Sequence, residues 1–89
     1  MKQLGLIKGR HPLPAAEYIF NDSIDDVFNF ESMQEHIASA LQGCAEVTVY
    51  VTGLTVVTVE LIKFCARHNI KLTLMHFNSN SGQYVAQSV

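Results

Sequence analysis

Residues 46–77 read EVTVYVTGLTVVTVELIKFCARHNIKLTLMHF. The first seven alternate, with Val47, Val49 and Val51 facing one way and Thr48, Tyr50 and Thr52 the other. Nearly all of them are β-branched or aromatic, which specifies a strand. Gly53-Leu54 turns the chain. From Thr55 to His68 the period becomes helical: Glu60, Lys63 and Arg67 form a narrow polar stripe, and Val57, Leu61, Phe64, Cys65 and His68 a broad apolar one. A polar stripe that narrow predicts a heavily buried helix. Asn69 ends it, and Lys71–Phe77 is the next strand. Two strands joined by short turns and a helix of about four turns make a right-handed crossover unit with parallel strands.

Working outward, NSNSG at 78–82 is a turn cluster, and Gln83–Gln87 returns as an antiparallel edge strand. Toward the N-terminus, Met33, Ile37, Ala40 and Leu41 share one helical face, predicting a surface helix over 31–42 that stops at Gly43. Leu4–Ile7 and Glu17–Phe20 read as strands. Between them, Gly9 to Pro14 is a loop stiffened by two prolines. Asn21 to Asp26 is an acidic turn, and Val27–Phe30 has no clear period. The expectation is one α/β domain over 1–89. It is small and Rossmann-like, with a mostly parallel four- to five-stranded sheet, two helices and an antiparallel C-terminal edge strand, in two or three layers. Two helices need not cover both faces of such a sheet. The half-polar face of Thr48, Tyr50 and Thr52, joined by Thr73, Met75 and Phe77, then meets a twofold mate, lines a pocket or packs under the other helix.

The 89 residues are 48% hydrophobic and only 16% charged, against a usual charge content of about 25%. A domain this small has much surface to cover, so a second copy of the chain is expected over part of its apolar surface, as a homodimer or higher homo-oligomer. Net charge is −2, and the six fixed cations form no run, which disfavours nucleic-acid binding. Cys44 and Cys65 cannot make a disulfide scaffold, so a reducing, cytoplasmic setting is expected. No apolar stretch reaches the length of a membrane span, and the apolar core of MKQLGLIKGRHPLP is too short for a signal peptide.

Chemistry concentrates at two turns. Ligands of parallel sheets bind where strand C-termini feed helix N-termini. Thr52, Gly53, Leu54 and Thr55 form such a turn: glycine permits close approach, helix N–H groups are unpaired, and two hydroxyls flank them. That chemistry suits a phosphate. The plainer reading makes Gly53 a turn residue and Thr55 an N-cap. Lys8, Arg10 and His11 follow the first strand, and they share this edge if Leu4–Ile7 runs parallel to Val47–Val51. Arg10 then pairs with a phosphate or carboxylate, and His11 donates a hydrogen bond or acts as acid or base. The plainer reading is an exposed basic loop. Asp22, Asp25, Asp26 and Glu31 lack the spacing of a calcium loop, and the four histidines lack metal-ligand spacing, so neither a metal nor a cofactor is expected.

The stretch from Val47 to Phe77, through VTGLT after a β-branched strand and the apolar helix behind it, resembles the core of the CRISPR-associated Rossmann fold domains. Those small ligand-sensing domains recognise cyclic oligonucleotides as dimers. The resemblance implies a stand-alone domain of phage or mobile-element type that sequesters or degrades a nucleotide signal. The ranked expectations are a non-catalytic binding module for a phosphorylated or nucleotide-like ligand, held by Arg10, His11, Thr52, Gly53, Leu54 and Thr55; a protein-interaction module or inhibitor acting through an apolar face; and last a small phosphodiesterase using His11.

Overall fold

The computed structural model describes residues 2–8, 13–21, 24, 26–52 and 54–89. In chain order the elements are β1 (Lys2–Ile7), β2 (Tyr18–Phe20), α1 (Phe30–Ala40), β3 (Glu46–Tyr50), α2 (Thr55–Arg67), β4 (Lys71–Asn78) and β5 (Gln83–Ser88). The five strands form one sheet in the order β2-β1-β3-β4-β5. All neighbours are parallel except β4 and β5. The α/β architecture, the parallel unit across α2 and the antiparallel edge strand match the sequence reading. The alternation at 46–52 outlasts the strand, because Val51 and Thr52 already leave the ladder. One backbone bond, from Val51 N–H to Met75 O at 3.0 Å, carries the pairing one residue past it.

The order of connections decides the layers. The chain runs β2→β3→β4 across the sheet in one direction, so two right-handed crossovers put α1 and α2 on the same face. They pack against each other there, α1 over β2 and α2 over β4. The core fills the space between. Leu4, Leu6, Ile19, Val47, Val49, Leu72 and Leu74 rise from the strands to meet Met33, Ile37, Leu41, Val57, Leu61, Phe64 and Cys65. The fold is therefore two-layered. From β1 to β2 the order runs the opposite way, and on the other face Leu13 and the Tyr18 ring lie over Gly5.

That other face is the half-polar one. Thr48 pairs with Thr73 and Tyr50 with Met75 in register, and Phe77 pairs with Tyr84 across the β4–β5 ladder. Tyr84 meets both Tyr50 and Phe77 edge to face, at 5.0 and 5.5 Å between centroids. Gly43 and Asn69, at φ +77° and +55°, take the left-handed conformation that terminates each helix.

Two side chains of α2 depart from the stripe assignment. Glu60, expected on the solvent stripe, is only 5% exposed. Gln34 of α1 donates from Nε2 to both Glu60 O (2.9 Å) and Glu60 Oε1 (3.0 Å), and Lys63 closes on Oε2 at 3.4 Å. Period alone cannot separate a solvent stripe from one that meets a second helix bearing its own polar partner. His68, expected on the buried stripe, is the exposed C-cap residue with its ring tilted against Phe64, centroids 4.2 Å apart.

Candidate functional site

β1 and β3 are adjacent and parallel, with Leu4 beside Val49 and Gly5 beside Tyr50. Their C-terminal ends therefore lie side by side at one edge of the sheet. Further along the chain, Leu13 lies against Gly5 of β1, and α2 follows β3 on the helical face. In open α/β sheets, strand ends from which the chain departs in opposite directions are the usual ligand position. The condition set by the sequence, that the first strand be parallel to the third, is met. Lys8 stands exposed at the start of the first connection, its N–H bonded to Phe20 O at 2.9 Å. Arg10, His11 and Gly53 lie outside the described residues.

Thr52, Leu54 and Thr55 are described. Thr52 is 2% exposed, and its Oγ1 has no hydrogen-bond partner. An unpaired buried hydroxyl costs about 1–3 kcal/mol, so its presence calls for a reason. Leu54 N–H donates to Thr52 O at 2.6 Å, which ties the residue to the start of α2. The N-cap of α2 is Leu54, whose side chain makes no capping bond, and Thr55 is the first helical residue. The reading of Thr55 as N-cap is thus corrected: the turn reaches helical geometry one residue early, and Leu54 holds the capping position in extended conformation (φ −95°, ψ 102°). Thr58 N–H returns to Leu54 O at 3.2 Å. The N–H groups of Thr55, Val56 and Val57 are left without intrahelical acceptors, and no acidic side chain stands in the first turn.

The start of α1 contrasts with this. Asn29 Oδ1 accepts from Ser32 N–H at 3.1 Å, and Glu31 supplies the favourable negative charge. Both helices run antiparallel to the strands, so both begin at the same sheet edge. The Gln34–Glu60 bond joins them about one turn in, four residues past the start of α1 and five past the start of α2. One N-terminus is internally satisfied and the other is left polar and open.

Burial pushes the Cys65 thiol up to about 11, with a smaller contribution from Cys44 nearby, so it stays protonated and unreactive at neutral pH. Among the described residues, no group of three or more His, Cys, Asp or Glu could hold a metal ion, and no helix is long and apolar enough to cross a membrane. Sequence reading passed over one surface feature, the exposed ring pair Phe28 and Phe30 just before and at the start of α1. Its only signal was the pair of phenylalanines flanked by acids in DDVFNFE, residues 25–31. No protein-family model, curated protein or solved structure matches the chain.

Proposed function

We infer that the chain is a non-catalytic binding module for a small phosphorylated or nucleotide-like ligand, seated at the β1/β3 edge against the start of α2. The observation that carries this reading is the buried, unpartnered Thr52 Oγ1 beside a helix N-terminus without a side-chain cap. A phosphate oxygen satisfies the hydroxyl and the free N–H groups together, in a field that favours negative charge. Arg10 and His11 follow Lys8 from the neighbouring strand end and supply the countercharge. Sequestration of a cyclic nucleotide, implied by the Rossmann-like resemblance, is one form of this activity.

A thermal-shift screen with nucleotides and cyclic nucleotides tests it, since ligand at about 100 times its Kd adds about 2.7 kcal/mol. Thr52→Val separates the roles. Removing an unpaired buried hydroxyl should raise stability by about 1 kcal/mol while weakening the ligand found in the screen. Arg10→Ala should weaken the same ligand by about 1.5–3 kcal/mol, roughly ten- to a hundredfold, with little change in Tm. Calorimetry showing unchanged affinity in both variants would end this version of the site.

The module acts as a homodimer in this proposal. Supporting it are the low charge content and the helix-free face bearing Tyr50, Met75, Phe77 and Tyr84. The six-residue edge strand β5 also carries no charge and no proline to block pairing. Sedimentation at micromolar concentration should find twice the 9.9 kDa chain mass; a clean monomer would remove the dimer from the proposal.

A further inference from the structure

We propose that Phe28, Phe30 and the acidic start of α1 dock a basic peptide segment of a partner protein, with arginine or lysine side chains set over the rings. This goes beyond the anion site at α2 and stands without it. Phe28 is 68% exposed and Phe30 45%, and their rings meet edge to face with centroids 6.4 Å apart. The same segment places its smaller apolar side chains inward, Ile24 and Val27 packing against the core. Hydrophobicity alone would favour the opposite choice.

The outward rings are held by a built turn. Phe28 N–H donates to Asp26 Oδ1 at 3.0 Å, and Asn29 N–H to Asp26 O at 3.3 Å. Asn29 then caps α1 through Ser32 N–H, so the backbone on both sides of Phe28 is fixed. A presentation of this kind lowers the ordering cost of binding.

Charge selects the occupant. Between Asn21 and Glu35 the chain carries Asp22, Asp25, Asp26, Glu31 and Glu35 and no lysine or arginine: five of its eight acids and none of its six fixed cations. Asp26, Glu31 and Glu35 are exposed. The one ion pair recorded among the described residues, Lys63–Glu60, involves none of them. The faces of the rings are themselves electron-rich and attract cations. A nucleic acid would be repelled here. A segment carrying guanidinium groups gains carboxylate pairs and ring faces together.

The test is fluorescence anisotropy with a labelled GRLRGRLRG peptide. A GELEGELEG peptide and a ten-residue oligothymidylate serve as comparison probes. The arginine peptide should bind and the other two should not. Phe28→Ala should weaken binding about tenfold at unchanged net charge and unchanged Tm. Glu31→Gln should weaken it independently, and Thr52→Val should leave it unaltered, which keeps this result separate from the fate of the anion site. Wild-type affinity in Phe28→Ala would reduce the contact to unspecific charge attraction and overturn the proposal. So would binding of the oligothymidylate, or a chain dimer that dissociates in Phe28→Ala, which would assign the rings to a second copy.

Discussion

Phe64→Ala is expected to destabilise the protein by about 3–5 kcal/mol. Phe64 lies on the face of α2 turned to the sheet, is 8% exposed, and supports the His68 ring at the helix end. Truncation removes a large buried surface and leaves a cavity between α2 and the strands that neighbouring side chains fill only in part. A domain of this size holds about 4–13 kcal/mol in total, so the variant stands near its folding threshold. A urea titration measures the loss directly. A change below about 1 kcal/mol would mean that the ring is not part of the packed layer. Val49, Leu61 and Leu74, expected in the core from the strand and helix periods, are buried with it.

Gly5→Ala should cost about 1–3 kcal/mol, from overpacking rather than a cavity. A Cβ added at Gly5 would sit 2.6 Å from Cδ1 and Cε1 of the Tyr18 ring and 3.0 Å from Leu13 Cδ1. No real contact is that short, so the ring or the β1–β2 link must move. Gly5 is central in β1, paired with Tyr18 on one side and Tyr50 on the other. Equilibrium unfolding of Gly5→Ala beside Gly5→Ala/Tyr18→Ala checks the cause. If Tyr18 is the obstacle, the second substitution recovers part of the loss. A single variant as stable as the parent would show that Tyr18 is not lodged over the strand.

Much of the fold was legible because its strongest segments are periodic. The valine alternation at 47–51, the helical stripe at 57–65 and the turn at 78–82 left little choice of element or order. The N-terminal strands were found from short apolar runs, but nothing in those runs states that β1 lies inside the sheet, between β2 and β3. That placement comes from the direction of the crossovers. Gly5, read locally as one residue of an apolar run, owes its identity to a tyrosine thirteen positions away. At the candidate site the residue types were legible and their states were not. A threonine before a glycine turn looks alike whether its hydroxyl caps a helix or lies unpaired, and Thr55 looked like the better cap than Leu54. Glu60 was misplaced because its partner, Gln34, belongs to another helix.

The interior position of β1, between β2 and β3, has a kinetic consequence. The segment from β3 through β5 closes on near neighbours in sequence and can assemble as a contiguous unit. β1 must instead find β3 across a separation of about forty-five residues, as the pairing of Leu4 with Val49 requires, and it must also accept β2 along its other edge. Contacts that distant are entropically costly to close and slow to form. During synthesis β1 emerges long before the strand that receives it. Of the ladders in the sheet, β1–β3 closes the longest stretch of chain, so its pairing is expected to be the costliest to form.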